Sequence, residues 1–289
     1  MKKSFRSVFA GILLIVVLTG LFSSCSLTGN KATEYKENAD GYGLYRYSST
    51  STETAFTVPD TYEGKNVTEL MDFSFANAEY LTELHIGKHV HTIGIWALTN
   101  CQQLKAIYVS EENPYFTSVD GVLYNKDMTE LLFYPNARSP IVTDESGNTS
   151  GGEFTVPDTV KTIRDNAFYL CGNLRSIQFN EGLEKVGNKA FLKCGGLESL
   201  TLPSTLKEIG DDAFSYLDNT KLTSIEIPAS VESIGNYAFF STASSVQKVI
   251  VHKDSEADLK LGNDWLPNKI NAINQEVSVE YVGENLSLI

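Results

Sequence analysis

Two of the four histidines, His89 and His91, stand one residue apart in the sequence. In an extended segment this spacing places both imidazole rings on the same side, where they could bind a metal ion. No carboxylate or cysteine lies close to them in the sequence, although zinc sites normally use three or four such ligands. The spacing therefore favours a pair of surface histidines, with a metal-binding pair as the alternative.

Oxygen ligands for calcium are a second candidate group. Asp120, Asn125 and Asp127 flank one short segment and could bind calcium weakly. They lack the dense, regular oxygen spacing of an EF-hand loop. We interpret the segment 120–127 as a solvated turn, with an ion site as the alternative.

Motifs of catalysis and cofactor binding are missing from the sequence. It contains no G-x-S-x-G, no H-E-x-x-H and no phosphate-binding glycine loop. The sequence therefore predicts a protein that is not an enzyme and that uses no cofactor and no metal.

The elements that carry these residues repeat about every 23 residues. Six hexamers follow the pattern L-x-x-L-x-L, with occasional Ile, Val or Phe: LTELHI (81–86), LKAIYV (104–109), LRSIQF (174–179), LESLTL (197–202), LTSIEI (222–227) and VQKVIV (246–251). This hexamer at this period is the signature of leucine-rich repeats. Alternation in its last four residues predicts a short strand with one buried face. We count about nine coils between Phe56 and Val251.

Each coil carries further fixed positions after its strand. An Ile or Val is followed by glycine, and an alanine and a phenylalanine come four and five residues after the Ile or Val. The Ile or Val residues are Ile93, Ile163, Val186, Ile209 and Ile234. We expect the glycines to permit a tight turn and the phenylalanines to stack in one continuous buried column. Leu98 replaces the phenylalanine once and Arg164 replaces the glycine once, while acidic turn residues such as Asp211 are expected only to keep the exterior solvated.

Three cysteines share one position, eight residues after the Ile or Val: Cys101, Cys171 and Cys194. Leu217 and Thr242 fill the same position in other coils. A position that accepts Cys, Leu or Thr is typical of buried packing. A disulfide between Cys171 and Cys194 is the alternative.

Residues 109–154 depart from the repeat but have the length of about two coils. We predict a divergent coil here, with a hairpin turn at Asp120-Gly121 and a strand within 130–135 that ends in proline. Residues 143–153 are rich in turn formers and predict a surface loop.

The N-terminus has a basic start and an apolar run over residues 8–22, which is typical of a signal peptide. The next residues, Ser23-Ser24-Cys25, resemble a bacterial lipobox, although Phe22 stands where leucine is common. The resemblance implies that Cys25 is lipidated and becomes the mature N-terminus. An ordinary cleaved signal and an uncleaved anchor are the alternatives.

These boundaries give a domain layout with one solenoid. The signal peptide is 1–24, a polar flexible tether 25–40, an N-terminal cap 41–55, the solenoid 56–252, and a C-terminal cap 253–289.

The net charge of −13 becomes more negative once the basic signal is removed. Such a charge repels nucleic acid, so no nucleic-acid partner is expected, whereas a cationic partner is an alternative to a role in solubility.

The repeat I-x-x-I-x-I-P-x-S-V-x-x-I-G-x-x-A-F-x-x-C-x-x-L, clearest over 174–239, resembles the BspA-type leucine-rich repeat of bacterial surface proteins. The resemblance implies a solenoid with a parallel β-sheet on one face and turns or short helical segments on the other. It also implies an exported protein, here lipid-anchored to the bacterial outer membrane at the cell surface. Some members bind host matrix proteins or act in cell–cell adhesion.

We therefore expect a non-enzymatic, lipid-anchored protein that binds a protein of the host or of a neighbouring cell, in an oligomeric state that the sequence does not specify. The expected contact residues point outward from the hexamer strands: Glu83, His85, Tyr108, Gln178, Thr201, Glu226 and Lys248. One alternative is carbohydrate binding through aromatic side chains: Tyr42, Tyr45, Tyr47, Tyr115, Phe116 and Tyr124. Another is a structural scaffold within the cell envelope.

Overall fold

The structure is a computed structural model, and it describes residues 33–48, 52–138, 142–143, 145, 149–217, 221–242, 246–266 and 277–283. All of them belong to one unit, Lys31–Ile289. The signal peptide and the lipidation residue Cys25 that the sequence predicts lie outside the described residues.

Short strands dominate the described chain. The first twelve are β1 (Glu34–Asn38), β2 (Gly41–Arg46), β3 (Ala55–Thr57), β4 (Thr61–Tyr62), β5 (Lys65–Leu70), β6 (Glu83–Ile86), β7 (Thr92–Ile93), β8 (Ala106–Val109), β9 (Phe116–Val119), β10 (Val122–Asn125), β11 (Glu130–Phe133) and β12 (Val142–Thr143). The others are β13 (Thr149–Ser150), β14 (Glu153–Thr155), β15 (Thr162–Ile163), β16 (Ser176–Gln178), β17 (Lys185–Val186), β18 (Glu208–Ile209), β19 (Ser224–Ile227), β20 (Ser233–Ile234), β21 (Lys248–Val251), β22 (Lys260–Leu261) and β23 (Ser278–Tyr281). A single 3₁₀ turn, Glu256–Asp258, is the one helical segment among the described residues.

Two sets of parallel strands build a solenoid of about eight coils, close to the nine that the repeats predict. Five of the six hexamers contain a strand, and together with β3, β14 and β23 these strands stack as β3-β6-β8, β14-β16 and β19-β21-β23. Four of the Ile or Val positions, Ile163, Val186, Ile209 and Ile234, lie in an eight-stranded sheet, β22-β20-β18-β17-β15-β11-β10-β9, which we call the Ile/Val sheet. Its strands are parallel except for the hairpin strands β9 and β10, and Ile93 lies outside it on β7, which pairs with β5. The parallel register of the Ile/Val sheet joins equivalent positions of successive coils, such as Val186 to Ile209. The predicted solenoid is confirmed.

The expected phenylalanine column is confirmed over four coils and broken once. Phe168, Phe191, Phe214 and Phe239 stack with ring centroids 4.7, 5.2 and 5.4 Å apart. Tyr134 extends this stack from the divergent coil, 4.8 Å from Phe168. A separate pair, Tyr47 and Phe75, lies on the other side of Leu98. Leucine has no ring to continue the stack. The buried residues form two core clusters, which meet at the divergent coil, where Leu123 belongs to one cluster and Tyr124 to the other.

A tight turn does begin at the glycines that follow the Ile or Val, as the Ala213 N–H donates to the Gly210 carbonyl at 3.3 Å, but the turn does not require the conformational freedom of glycine. Gly210, for example, is not among the residues with positive φ. A Cβ there would lie 2.6 Å from the backbone nitrogen of Asn188 in the preceding coil. The glycine is needed because adjacent coils approach closely. Positive φ instead falls on non-glycine residues, such as Lys189 and Lys193.

The residue after the glycine position, which Arg164 occupies in one coil, joins each coil to the next. The Asp165 carboxylate accepts the Asn188 backbone N–H at 2.7 Å, and the Asn188 side chain accepts the Asp211 N–H at 2.8 Å. Asp211 accepts the Asn236 N–H at 2.7 Å in the same way. Asp211 therefore satisfies a backbone donor, which corrects the expectation that it only keeps the exterior solvated.

The divergent coil contains the expected hairpin. Strands β9 and β10 pair antiparallel around Asp120 (φ 49°) and Gly121 (φ 78°). The strand that ends in proline, β11, belongs to the Ile/Val sheet, where Leu131 pairs with Ile163. The proline at its end had suggested a hexamer strand, but β11 does not continue the stack of hexamer strands.

Arg164 replaces a missing hydrogen bond across this divergent coil. In regular coils the residue at its position donates its backbone N–H to the preceding Ile or Val, as Gly187 does to Ile163. Ile93 has no such successor, because the divergent coil follows it. The Arg164 guanidinium donates to the Ile93 carbonyl at 2.7 Å and so pairs this acceptor.

Both ends of the solenoid extend its sheets. Residues 34–38, expected to be part of the flexible tether, instead form β1, which pairs with β2, and Tyr35 stacks on Tyr62 at 4.2 Å. Aromatic packing therefore shortens the tether. In the predicted C-terminal cap, β22 and β23 add one strand each to the Ile/Val sheet and to the last hexamer stack.

Candidate functional site

The strand face consists of the side chains that point outward from the hexamer strands. Burial alternates along these strands as predicted: on β6, Leu84 and Ile86 are buried, whereas Glu83 and His85 are half-buried. The backbone is fixed by pairing on both sides of β6, so these outward side chains stand on a rigid support.

The most prominent group on the strand face is an aromatic pair on β6 and β8. Tyr108 is 44% exposed, and its ring lies 4.9 Å from the His85 ring. Glu83 lies 3.8 Å from the same imidazole. A cleft of about 350 Å³ adjoins the pair, with Pro59 and Asp60 on its far wall. An exposed tyrosine beside an open cleft can contribute apolar contact and a hydrogen bond to one ligand.

The predicted contact residues do not form one continuous surface. The turn of the β9–β10 hairpin packs against β8, where the Ile107 N–H donates to the Gly121 carbonyl at 2.9 Å. Glu83, His85 and Tyr108 lie before this hairpin. The other four lie beyond it, on three different segments of the strand face: Gln178, Thr201, Glu226 and Lys248. The hairpin therefore divides the predicted surface in two.

Two charged neighbours of the second group were missed in the sequence. Glu280 on β23 lies 2.6 Å from the Lys248 ammonium, and His252 lies 3.8 Å from Glu226. The alternating stretch that contains Ser278–Tyr281 resembles another hexamer strand and could have revealed Glu280. The Lys248 charge is therefore largely compensated.

The cysteine position is a donor position as well as a packing position. Cys101, Cys171 and Cys194 are buried and unpaired, so the alternative disulfide is excluded. The Cys194 thiol donates to the Phe168 carbonyl of the preceding coil at 3.0 Å, and the Thr242 hydroxyl donates to the Phe214 carbonyl at 2.5 Å. The recurrence of Cys and Thr, which both donate, was the signal for this role. Burial raises the pKa of the Cys194 thiol to about 12, which makes it a poor nucleophile.

The two histidines lie on one side of their segment, as expected, with buried Val90 between them. A carboxylate does come close in space: Asp40 lies 3.7 Å from His91. The His91 ring also lies 3.0 Å from the Thr92 hydroxyl. Within the described ranges, no group of three or more His, Cys, Asp or Glu residues could hold a metal ion.

The oxygen-rich segment 120–127 uses its side chains in the turn that follows it. The Asp127 carboxylate accepts the Thr129 hydroxyl at 2.8 Å, and this hydrogen bond is the main reason why the pKa of Asp127 is lowered. Asn125 donates to the Thr129 hydroxyl and accepts the Glu130 N–H. These contacts fit the interpretation as a turn.

The aromatic residues that could bind a carbohydrate differ in how deeply they are buried. Tyr47 and Tyr124 belong to the buried core and cannot stack on a sugar, so they are removed from that hypothesis. The Lys36 ammonium covers the Tyr45 ring, 3.2 Å from its centroid. Tyr115 is the half-exposed member, with 50% of its surface accessible.

Comparison with known families decides the class of the repeat. The profile of the BspA type leucine-rich repeat region matches residues 19–137 and 147–257 in six copies. The chain belongs to the BspA type leucine-rich repeat family. In this BspA type protein, the aromatic pair, the strand alternation and the Asp/Asn contacts are therefore features of a repeat scaffold.

Solved structures support the same fold. The pneumococcal vaccine antigen PcpA is 28% identical with a TM-score of 0.56, over 71% of this chain and 48% of PcpA. A leucine-rich repeat protein from Eubacterium ventriosum is 26% identical with a TM-score of 0.52, over 74% of this chain and 54% of that protein. The chain thus spans about half the length of each. No curated protein matches the chain.

In the part of the chain that the structure describes, no helix combines the length and the apolar character that a membrane span requires.

Proposed function

We propose that this BspA type protein is a non-enzymatic binding protein of the bacterial cell surface, and that its first hexamer stack recognises a protein partner. The observation that carries this proposal is the exposed Tyr108, which lies against the His85 ring beside an open cleft. Tyrosine is enriched at the energetic centres of protein interfaces, because its large ring loses little conformational entropy on binding. The paired strands β6 and β8 hold His85 and Tyr108 rigidly, which further reduces the conformational entropy lost on binding.

The location is part of the same proposal. The basic and apolar N-terminus followed by Ser23-Ser24-Cys25 supports export and lipid attachment at Cys25, and thus an anchor in the outer membrane. The pneumococcal relative is a vaccine antigen, which supports a surface position for the repeat class. The partner belongs to the host or to a neighbouring cell.

Site-specific photo-cross-linking tests the recognition surface. A photoreactive amino acid is placed at Tyr108 or, as the control, at Tyr237, which is 42% exposed in the turn after β20. Producing cells are mixed with host matrix proteins or with neighbouring cells and then irradiated. We expect a discrete cross-linked protein from position 108 and none from position 237.

The identified partner then allows an affinity measurement. Tyr108→Ala should weaken binding by about 1 kcal/mol or more, and Tyr237→Ala should leave it unchanged. Equal cross-linking from both positions, or an unchanged affinity of Tyr108→Ala, would exclude the first hexamer stack as the recognition surface.

A further inference from the structure

One hexamer breaks the pattern of the strand face. Residues 199–202 of LESLTL read as a regular strand in the sequence, and their burial alternates like one: Leu200 and Leu202 are buried, Ser199 and Thr201 exposed. Yet no strand forms there. Among the described residues, neither the backbone nor the side chains of 199–202 make any hydrogen bond, although Glu198 still donates to Arg175 of the preceding coil.

The gap lies only on the strand face. On the opposite side, the Ile/Val sheet runs through the same coils without interruption, with Lys185 paired to Glu208 and Glu208 to Ser233. The stack β14-β16 ends before residues 199–202, and the stack β19-β21-β23 begins after them. The two-residue insertion within 217–221 lengthens the chain at this step. The coils therefore stay joined at one edge and open at the other.

The opening is a cleft of about 540 Å³. Residues 198–202 form one wall and residues 221–226 the other. Inward-facing residues on the side of the cleft that precedes the gap are more accessible than those beyond it. Leu200 and Leu202 are 9% and 8% exposed, and Ile177 and Phe179 of the neighbouring β16 are 7% and 9% exposed, against 1% for Ile225 and 0% for Ile227. Water thus reaches apolar surface that is covered in the stack β19-β21-β23.

We propose that this cleft binds an extended peptide segment that pairs as a β-strand with the backbone of residues 199–202. An extended segment with unpaired N–H and C=O groups is a template for another strand, since each group gains a partner when a ladder forms. Strand addition of this kind takes its affinity from main-chain hydrogen bonds and its specificity from alternate side chains. The cleft volume falls in the range of about 300–1,000 Å³ typical of ligand sites. This site is distinct from the Tyr108 surface.

The charges around the cleft favour a peptide that carries lysine or arginine. Glu198 is already paired with Arg175 at 2.8 Å and with Lys221 at 3.3 Å. Two further carboxylates line the cleft without a lysine or arginine partner in the described chain. Glu181 accepts the backbone N–H and the hydroxyl of Ser204, and Glu226 lies 3.8 Å from His252, so both can still pair with a cation. The chain as a whole is acidic, with a net charge of −13, which attracts a cationic segment.

The probe is a library of synthetic peptides of about ten residues with one fixed lysine and with β-branched or small residues at alternate positions. Peptides are selected on the full-length protein and measured against two variants. Leu202→Pro removes a backbone donor that faces the cleft, since the equivalent Val156 donates to Gln178 of the next coil, and this donor has no hydrogen-bond partner among the described residues. Leu202→Val keeps the donor and the β-propensity, and it shortens the side chain to a similar extent.

We expect selected peptides to bind the wild type and Leu202→Val alike and Leu202→Pro about tenfold more weakly, the equivalent of one or two backbone hydrogen bonds. N-methylation of alternate peptide amides should cause a similar loss, and this measurement decides the question if Leu202→Pro does not fold. Hydrogen exchange at 199–202 should slow when peptide binds.

Three results would overturn the proposal. The first is a library from which nothing is enriched. The second is binding that survives both Leu202→Pro and N-methylation, because the contacts would then be side-chain contacts only. The third is exchange at 199–202 that is slow without peptide and depends on protein concentration, which would identify a second copy of the chain as the occupant. None of these results bears on Tyr108 cross-linking, so the two proposals fail independently.

Discussion

Replacing Arg164 with the glycine that the other coils carry at this position should destabilise the protein. Arg164 occupies a position where the other coils carry glycine, so a comparison of repeats alone would suggest that Arg164→Gly improves packing. The structure argues the opposite, because the Arg164 guanidinium pairs the Ile93 carbonyl at 2.7 Å across the divergent coil. Ile93 is only 6% exposed, so water cannot easily replace the lost donor.

The expected loss follows from that single contact. A hydrogen bond to a charged group contributes about 1.5–3 kcal/mol, and a buried acceptor left unpaired costs about 1–3 kcal/mol. Burial lowers the pKa of Arg164 and thus opposes its charge, whereas nearby Glu130 raises it. Burying the charged guanidinium already costs the wild-type protein free energy. This cost reduces the net stabilisation that the hydrogen bond to Ile93 provides. We therefore expect Arg164→Gly to lower the free energy of unfolding by about 2 kcal/mol, or the midpoint of thermal unfolding by about 4–8 °C.

Urea denaturation and hydrogen exchange at residues 131–134 and 163–168 measure this loss. Arg164→Met keeps most of the aliphatic chain and should lose as much as Arg164→Gly, which separates the hydrogen bond from packing. Arg46→Met is the control, since Arg46 is an exposed side chain 3.9 Å from Glu34, and should change stability by less than about 0.5 kcal/mol. An Arg164→Gly variant as stable as the wild type, or more so, would refute the reasoning.

Three further predictions concern the repeat positions. Cys194→Val should be about 1 kcal/mol less stable in urea than Cys194→Thr, because only threonine keeps the donor to the Phe168 carbonyl; equal stabilities would make the position one of packing alone. Gly210→Ala should lower the free energy of unfolding by about 2 kcal/mol, because its Cβ would lie 2.6 Å from the Asn188 nitrogen. The control Gly172→Ala, whose Cβ would have nothing within 4 Å, should be neutral or slightly stabilising. Similar losses in both variants would contradict the close approach of coils. Lys193→Gly should be about 1 kcal/mol more stable than Lys193→Ala, because Lys193 has φ 62°; the opposite order would exclude left-handed strain there.

The repeat register was predictable from the sequence because each position has a physical requirement of its own. Alternation in ELHI predicts β6, and the ring at Phe191 predicts stacking on Phe168 and Phe214. The hairpin at Asp120-Gly121 was predictable for the same reason, since both residues accept positive φ. Local chemistry decided all of these features.

Features that depend on contacts between coils were not predictable in this way. LESLTL matches the hexamer as well as LTSIEI does, yet only the second forms a strand, because strand formation needs a neighbour at the right distance. Asp211 reads as a solvated acid until the next coil brings the Asn236 N–H to it. The division of the strand face likewise depends on where the β9–β10 hairpin packs. The sequence thus located the strand face but not its limits.

Protease treatment of intact cells tests the central claim most directly. Cells that produce the full-length protein are treated beside cells that produce Cys25→Ala, and the solenoid is followed by immunoblot with and without permeabilisation. A lipid-anchored surface binding protein should be cleaved on intact cells, and Cys25→Ala should be lost from the membrane fraction. Protection on intact cells, with cleavage only after permeabilisation, would contradict surface recognition and place the solenoid inside the envelope.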